Sequence, residues 1–384
     1  MKHVAMIVSN PCDPDPRVEK EAESLKEAGY KVTIHAFDRN ENKEQKVIKN
    51  DIEIIRYRIG KTPTGAPTIL TGSKVLSGLR KFRKAVLNEL LSRRPDVIHC
   101  HDADTLAVGI YLKKKLRTTL VFDLHDLAHT WARMTKPYSI VRKFISKIIE
   151  IRLVRRMKLC DLIITSSGSV SGTSHQGFRE WVKKRVKKVN VIVVENRPEI
   201  NRTMSPLPEE FTIGYAGKIR EPSMFESLIR ALRNWPKNEK PKLIIAGHGT
   251  ADTEVNDLLS NSGLVYERVG KFGREQLSDI INKMSVMYAV YPTVRGNILD
   301  GALPTKMFDA ANFGRPSLVN SGCLMGDIAE SEQIGMAIDP TNQEELISKL
   351  LVINEKCPSP KLERVWSGES KRLVAAYNSL GNLS

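Results

Sequence analysis

The 384-residue sequence contains no apolar run close to the roughly 20 residues that a membrane-spanning helix requires. Its five cysteines are odd in number and scattered, and no two of them form a C-x-x-C pair. This distribution excludes a disulfide framework and a structural zinc site, and it favours a reducing compartment. The opening stretch MKHVAMIV is too short for the apolar core of a signal peptide. We therefore expect a cytoplasmic protein, with peripheral binding to the inner face of a membrane as an option.

Aromatic residues make up only 6% of the chain, whereas its net charge is +16. The positive charge is unevenly distributed. Residues 1–205 hold 40 Lys and Arg against 22 Asp and Glu, and residues 206–384 hold 20 against 22. The first half is therefore expected to face an anionic partner or surface. A nucleic-acid-binding protein would also explain the charge, but the low aromatic content and the restriction to one half argue against it.

Apolar runs alternate with amphipathic helical patterns along both halves of the chain. HVAMIV and KVTIHAF flank a helical pattern over DPDPRVEKEAESLKEAGY, and this spacing is typical of a doubly wound α/β domain. The turn after the first strand lacks G-x-G-x-x-G, which argues against a nicotinamide or flavin enzyme. The same alternation restarts at FTIGYAG, after a polar, Pro-containing segment, 197–210, that we interpret as a linker.

We thus predict an α/β protein of two Rossmann-like domains that face a central cleft. The first domain covers residues 1–203 and binds the acceptor. The second covers residues 204–360 and binds a nucleotide. A C-terminal helix, 361–384, is expected to pack back toward the first domain.

Polar side chains follow two predicted strands of the first domain. These residues are His99, His101, Asp102 and Asp104 after one strand, and Asp123, His125 and Asp126 after the next. Ligands of parallel sheets bind at the carboxyl ends of strands. A metal site is conceivable, but neighbouring strand residues alternate between faces, so we expect none. A single histidine, His125, is favoured for hydrogen bonding or proton handling, and a structural histidine is the alternative.

The segment DGALPTKMFDAANFGRP, residues 300–316, combines a glycine-containing loop with a short helix. Thr305 is expected to cap this helix, and the exposed N–H groups of its first turn suit a phosphate. Lys306 lies in the first turn, where a cation is unfavourable unless an anion is bound. Asp309, one turn later, could accept hydrogen bonds from sugar hydroxyls. An ordinary capped surface helix is the alternative.

Two basic stretches lie in the first half, over residues 136–158 and 179–189. In the first, a helical projection places isoleucine, valine and phenylalanine on one face and Lys and Arg largely on the other. Such a helix suits either packing against the protein with its lysines in solvent or binding to an anionic membrane surface.

Six ordered motifs resemble those of retaining glycosyltransferases of family 4, which have the two-domain GT-B architecture. They are DPDPRVEKEAESLKEAGYKV, PDVIHCHD, VFDLHD, VIVVENRP, IGYAGKI and GALPTKMFDAANFGRPSLVNS. The resemblance covers nearly the whole chain. It implies transfer of a sugar from a nucleotide-diphosphate sugar with retention of the anomeric configuration, no cofactor and no bound metal.

The resemblance also implies roles for individual residues. His125 and Asp300 are the expected catalytic residues. The donor is expected at Gly217, Lys218, Phe272, Gly301, Leu303, Pro304, Thr305, Lys306 and Asp309. We expect Arg17, Asp126, Arg152 and Arg155 to contact the acceptor.

Three departures from the family pattern concern the donor site. The second basic residue of the family would fall at Ser223, so Arg220 or Arg295 would have to replace it. A glutamate of the family would fall at Gly301, for which Asp300 is the neighbouring substitute. Both expected carboxylates, Asp300 and Asp309, are aspartates where the family has glutamates.

The sequence therefore predicts a cytoplasmic retaining glycosyltransferase that uses a nucleotide sugar, most simply linked to UDP or GDP. The acceptor is expected to be lipid-linked, a polysaccharide or another anionic molecule at a membrane surface. A nucleotide-sugar epimerase of the same fold is the nearest alternative, and a basic nucleic-acid-binding protein or a scaffold without activity are the others.

Overall fold

The computed structural model describes residues 1–63, 72–134, 136–200, 205–294 and 296–380. The chain divides into two compact units. The first comprises Met1–Gly168, Phe178–Asn196 and Ser367–Ser384, and the second comprises Ser169–Gly177 and Arg197–Trp366. Each unit contains its own predominantly parallel sheet, so the predicted two-domain α/β fold is confirmed.

The first unit is built on an eight-stranded sheet. Its strands are β1 (His3–Val8), β2 (Lys31–Phe37), β3 (Lys46–Lys49), β4 (Ile52–Tyr57), β5 (Val97–His101), β6 (Thr119–Leu124), β7 (Leu162–Thr165) and β8 (Asn190–Val193). They lie in the order β3-β4-β2-β1-β5-β6-β7-β8, and only β3 runs antiparallel to its neighbour. The short edge strand β3, with the sequence KVIK, was not predicted. It is mostly exposed, so it shows none of the apolar pattern by which strands are recognised.

Helices connect the strands of the first unit. They are α1 (Pro16–Glu27), α2 (Gly72–Arg93), α3 (Leu106–Leu116), α4 (Ala128–Trp131), α5 (Ile140–Met157) and α6 (Phe178–Arg185). The central strand β1 is buried from Val4 to Val8, as expected of a parallel strand covered on both faces. The carboxyl ends of β5 and β6 lie side by side, with His101 paired to Asp123 in register.

The second unit has six parallel strands in the order β11-β10-β9-β12-β13-β14. Their bounds are β9 (Thr212–Ala216), β10 (Lys242–Ala246), β11 (Tyr266–Val269), β12 (Val286–Ala289), β13 (Ser317–Asn320) and β14 (Gly335–Ile338). The helices are α7 (Pro222–Arg233), α8 (Asp252–Ser260), α9 (Leu277–Asn282), α10 (Thr305–Asn312), α11 (Leu324–Ser331) and α12 (Gln343–Lys356). Met307, Phe308, Ala310 and Ala311 bury one face of α10 in the core of this unit.

The final helix, α13 (Trp366–Leu380), groups with the first unit from Ser367 onward. Tyr377 is buried there, and its hydroxyl lies 2.8 Å from Nδ1 of His99 on β5. Glu369 accepts a hydrogen bond of 2.9 Å from the backbone N–H of Glu195.

Residues 169–177 group with the second unit, although they lie inside the predicted first domain. Asp327 of α11 accepts hydrogen bonds from the backbone N–H groups of Ser174 and His175, at 2.6 and 2.8 Å, and lies 2.9 Å from Nδ1 of His175. One aspartate thus holds this segment, which we call the strap. No helix in the described part of the chain is both long and apolar enough to cross a membrane.

Candidate functional site

His99 and His101 point to the same face of β5, and their ring centroids lie 4.2 Å apart. The sequence analysis argued against a metal site because neighbouring strand residues point to opposite faces. His99 and His101 are two residues apart, so they share a face and that argument does not apply to them. Both rings are fully buried, and burial lowers both pKa values, so both are neutral. The spacing H-x-H in the sequence could have predicted that these two side chains lie together.

His125 follows β6 and has a carboxylate beside each ring nitrogen. Its Nε2 lies 2.5 Å from Oδ2 of Asp123 and 3.2 Å from Nδ1 of His101. Its Nδ1 lies 3.5 Å from Oδ2 of Asp102. Burial alone would lower the pKa of His125, but the charges of Asp123 and then Asp102 raise it to about 10. The ring is therefore an imidazolium at neutral pH.

Arg17 was expected to contact the acceptor, but in the structure its guanidinium binds residues of the first unit. The side chain is only 4% exposed. Its Nε and Nη2 donate to the two oxygens of Asp123 at 2.7 and 2.6 Å, and its Nη1 donates to the carbonyl of Val194 at 2.7 Å. Arg17 is thus a buried brace for Asp123, because the helix that begins at Pro16 directs it toward the sheet.

Glu21, one turn after Arg17, completes a buried group with His99, His101 and Asp123. One possible ligand atom from each residue lies within 4.8 Å of the others, and this donor set suits a transition metal. However, Arg17 lies 2.6 Å from Asp123 and 3.1 Å from Glu21, so the carboxylates already have a counter-charge. Burial and the charge of Asp123 also raise the pKa of Glu21, which favours its neutral form. We assign the group to an ion-pair network.

The other predicted acceptor residues lie at the surface of the first unit. Arg152 and Arg155 are exposed on α5, and Asp126 is half-buried after β6, where its Oδ1 accepts the N–H of Leu127 at 2.8 Å. The helix packs through a narrow stripe that consists of Ser146, Glu150, Leu153 and Met157.

Most residues of the predicted apolar face of α5 are exposed to solvent, which contradicts the interpretation that this face packs against the protein. Ile140 is 83% exposed, and Val141 and Phe144 are each 68% exposed. Ile145, Ile151 and the preceding Tyr138 are exposed as well. We call these six residues the α5 apolar surface.

In the second unit, α10 begins at Thr305, and Pro304 is its N-cap residue. Thr305 was expected to be the cap, but it is the first helical residue and makes no capping bond. Proline fixes the backbone before the helix and offers no side-chain acceptor, so the side chain of the N-cap residue satisfies none of the N–H groups of the first turn. The expectation of an anion-binding helix start therefore does not depend on Thr305 as a cap.

Lys306 extends from this helix start over two aromatic rings. Its Nζ lies 3.5 Å from the ring centroid of Tyr215 and 5.3 Å from that of Tyr291. It forms no ion pair with any carboxylate in the described residues. Burial lowers the pKa of Lys306 to about 7, against a smaller raising effect of Asp309. The site thus holds a cation whose charge an incoming anion would stabilise.

Gly217, at the end of β9, is adjacent to Lys306. A Cβ atom on Gly217 would lie 3.1 Å from Nζ of Lys306, and the backbone there has φ +149°. Lys218, the next residue, is exposed, and its carbonyl accepts a 2.7 Å hydrogen bond from the hydroxyl of Tyr215. The structure therefore brings the predicted donor residues Gly217, Lys218 and Lys306 together.

Gly301 has φ +102°, and a Cβ atom there would lie 2.5 Å from Cα of Gly177 in the strap. Only glycine fits both this backbone conformation and this contact. The family pattern places glutamate at this position, and the strap occupies that space here. Asp300, its predicted substitute, is half-buried, and its N–H donates to the carbonyl of Gly296 at 3.0 Å.

The remaining predicted donor residues lie around α10. Leu303 and Phe272 are partly buried against the core that contains Met307. Asp309 is half-buried one turn into the helix. Ser223 lies in the first turn of α7, Arg220 is exposed just before it, and Arg295 falls outside the described residues.

Arg197 was placed in the linker, yet it is fully buried in the second unit. It forms two hydrogen bonds with Glu332, of 2.6 and 2.7 Å, and its guanidinium lies 3.8 Å from the ring centroid of Phe308 on α10. This residue fixes the helix that carries Lys306. The sequence offers no signal for the pair, because its partner lies 135 residues away.

Comparison with solved structures identifies the fold. The structure of sucrose-phosphate synthase from Thermosynechococcus elongatus superimposes with a TM-score of 0.74, 14% identity and full coverage of both chains. That of Anabaena HepE in complex with UDP-glucose gives a TM-score of 0.64 and 14% identity, over 98% of this chain and 97% of that one. The fold is that of the GT-B glycosyltransferases.

The sequence comparisons specify the family that the chain resembles. Residues 17–186 match the model of Glycosyltransferase Family 4. The uncharacterized glycosyltransferase MJ1607 of Methanocaldococcus jannaschii is 24% identical, over 77% of this chain and 74% of that protein. The predicted resemblance to family 4 glycosyltransferases is confirmed, and the comparisons support glycosyltransferase function.

Proposed function

We propose that the protein is a retaining glycosyltransferase that moves a sugar from a nucleotide-diphosphate sugar to an anionic or lipid-linked acceptor at a membrane surface. The observation that carries the donor part is Lys306, a cation at the start of α10 that no described carboxylate neutralises, beside the glycine turn at Gly217.

The diphosphate of the donor fits this helix start chemically. Backbone N–H groups and the positive end of the helix dipole favour an anion, and Lys306 and Lys218 add formal charge. Anabaena HepE was crystallised with UDP and with UDP-glucose, which supports a uridine diphosphate sugar as the donor here. A guanosine diphosphate sugar is the alternative. Asp309 is proposed to bind the ribose hydroxyls, and Phe272 the base.

Transfer is proposed to need no metal ion. Charge builds up on the diphosphate as the glycosidic bond breaks, and the helix start and the lysines provide fixed positive charge for it. His125 and Asp300 are proposed to contact the transferred sugar. Trehalose-phosphate synthases, whose solved structures are also similar to this chain with TM-scores of 0.62, include one studied for glycosyl transfer with retention.

A transfer assay tests the proposal. Thermal-shift screening against UDP- and GDP-sugars first identifies the donor, because a ligand at 100 times its Kd stabilises a protein by about 2.7 kcal/mol. We expect Lys306→Ala to abolish that shift and transfer, and His125→Ala to abolish transfer, while the exposed Lys271→Ala retains both. Full activity of the Lys306 and His125 variants would contradict the site assignment. Conversion of the donor without acceptor would instead identify an epimerase.

The membrane part of the proposal is supported by the α5 apolar surface. The helix carries six basic residues and one acidic residue, and that acid, Glu150, is buried against Lys147 and Arg185. An amphipathic helix with exposed apolar residues between basic ones binds in the plane of an anionic bilayer surface. A second copy of this chain is a poorer partner, because a symmetric contact would bring like charges together.

Liposome flotation tests the membrane part. We expect the protein to float with vesicles of phosphatidylcholine and phosphatidylglycerol at low salt, and less with phosphatidylcholine alone. Ile140→Ser combined with Phe144→Ser should abolish flotation, whereas Val265→Ser, at a 70% exposed position of the second unit, should not. Absence of wild-type binding at low salt, or loss of a dimer in the double variant, would contradict the proposal.

A further inference from the structure

Both nitrogens of His125 face carboxylates, but the two sides of the ring differ in their access to solvent. Nε2 points inward to Asp123, which is fully buried, at 2.5 Å. Nδ1 points to Asp102, whose side chain is 41% exposed, at 3.5 Å. The Nδ1 edge of the ring is therefore the edge that faces the more exposed surroundings.

Asp123 is itself held in place by two residues besides His125. Arg17 binds both of its oxygens, and His101 lies 3.3 Å from Oδ2 through its Nδ1. Arg17 is in turn fixed by the carbonyl of Val194, which follows β8. Two parallel N–H bonds from a guanidinium to a carboxylate define its orientation as well as its position. The carboxylate cannot rotate away from His125 without breaking them.

The charged and titratable groups around His125 come from three elements. Asp123 belongs to β6, His101 ends β5 and Asp102 directly follows it, and Arg17 and Glu21 belong to α1. The charges of Arg17 and His125 hold the pKa of Asp123 well below its usual value, although burial acts in the opposite direction. Asp123 is therefore a carboxylate throughout the physiological range, and it accepts the Nε2 proton of His125.

We propose, building on the proposed glycosyltransferase function, that Asp123 and Arg17 are positioning residues for transfer. Asp123 keeps His125 doubly protonated, and Arg17, whose own charge disfavours the imidazolium, holds that carboxylate in place. Together they direct the Nδ1–H of His125 toward an oxygen of the bound sugar. An imidazolium has no lone pair to accept a proton, so His125 acts as a hydrogen-bond donor and not as a general base.

The protonation state can be measured without turnover. Protein labelled with 15N-histidine is titrated from about pH 6 to pH 10 by NMR, and the His125 signal is identified by its absence in His125→Gln. We expect an imidazolium signal in the wild type at about pH 8. In Asp123→Asn the pKa should fall by about 1 to 3 units, as expected for the loss of an adjacent opposite charge.

The kinetics of Asp123→Asn distinguish a positioning role of Asp123 in transfer from a purely structural role. With Asp123→Asn, kcat should fall as pH rises through the lowered pKa, while KM for the donor stays within about twofold. The wild type and the control Asp161→Asn, whose ion pair with Lys113 lies elsewhere in the first unit, should show no such pH dependence. Arg17→Lys keeps the charge but loses the paired hydrogen bonds, so it should show a smaller shift.

If Asp123→Asn does not fold, the NMR titrations of His125 in the wild type and in Arg17→Lys test the proposal instead. A neutral His125 at about pH 8 in an active enzyme would overturn this proposal alone. An unchanged His125 titration and kcat profile in Asp123→Asn would also overturn it. An imidazolium signal in a protein that transfers from no nucleotide sugar would overturn the proposed function, because the ring charge is read without turnover.

Discussion

Single residues in both units carry charge states that their surroundings impose. The pKa of Lys306 is lowered from the ordinary lysine value of 10.5 to about 7, because the half-buried ammonium group has lost much of its contact with water. His125 is shifted upward by two carboxylates. Each residue is charged at neutral or slightly acidic pH, and each is poised for a different kind of contact: Lys306 for an anion, His125 for an oxygen acceptor.

Donor binding should therefore weaken as the pH rises above about 7, since the diphosphate requires the charged form of Lys306. The free protein should respond in the opposite sense: above pH 7 the unfolded chain holds more protons than the folded one, so this residue adds stability with rising pH up to about 10.5. Calorimetric Kd values for the donor across pH measure the effect. Lys306→Arg keeps its charge and should show a flatter profile, and an equal slope would contradict the assignment.

Gly301→Ala should destabilise the second unit by more than a positive φ angle alone explains. The new Cβ atom would lie 2.5 Å from Cα of Gly177. Gly263→Ala is the matched control, because Gly263 also has a positive φ, +70°, but open space around it. Chemical denaturation should give about 1–2 kcal/mol for the control and more for Gly301→Ala. Equal losses would show that the strap contact contributes nothing.

The sequence predicted some site residues and missed others for a physical reason. Lys306 and His125 lie in short motifs whose local geometry can be anticipated. Arg17 and Arg197 depend on partners 106 and 135 residues away, and one sequence contains no record of such pairs. Arg17 was therefore assigned to an acceptor and Arg197 to a linker, although both are buried ion-pair residues.

At the scale of elements, α5 is a helix whose apolar side is exposed. The periodicity of its apolar residues predicts where the helix lies in the sequence and that one side is apolar. It does not predict which side packs against the rest of the protein. The stripe that packs contains Ser146 and Glu150, which bind through hydrogen bonds and ion pairs that no hydrophobic pattern reveals.

Substitutions on the two sides of α5 should therefore have unequal effects on stability. Leu153→Ala removes a side chain that is 3% exposed and should cost about 2–5 kcal/mol. Phe144→Ser removes one that is 68% exposed and should change the free energy of unfolding by less than about 0.5 kcal/mol. Urea denaturation of both variants measures the difference. A large loss for Phe144→Ser would mean that this ring is covered in solution.

At the scale of the whole molecule, the fold class followed from the repeated alternation of strands and helices. It was harder to predict which segments belong to which unit. The strap is bound by Asp327, which lies more than 150 residues away in the sequence. The C-terminal helix was expected beside the first domain, and its residues from Ser367 onward group with the first unit.

Truncation after Trp366 should destabilise the first unit selectively. It removes Tyr377, which contacts His99 and stacks edge-on with Tyr30 at 5.6 Å, and Glu369, which binds the N–H of Glu195. Hydrogen exchange should accelerate in β1 and β5 and remain unchanged in β9 and β12. Equal acceleration in both sheets would mean that α13 supports the second unit as well.

Because the strap belongs to the second unit, the chain crosses from one unit to the other four times. The crossings lie at residues 168–169, 177–178, 196–197 and 366–367. Exchange of the complete second unit between two proteins of this fold therefore requires the transplant of two pieces, residues 169–177 and 197–366. A chimera that exchanges only residues 197–366 would combine the Gly301 of one parent with the strap of the other. A parent with any other residue at position 301 would place a Cβ atom about where Gly301 has none, 2.5 Å from Cα of residue 177 in the strap.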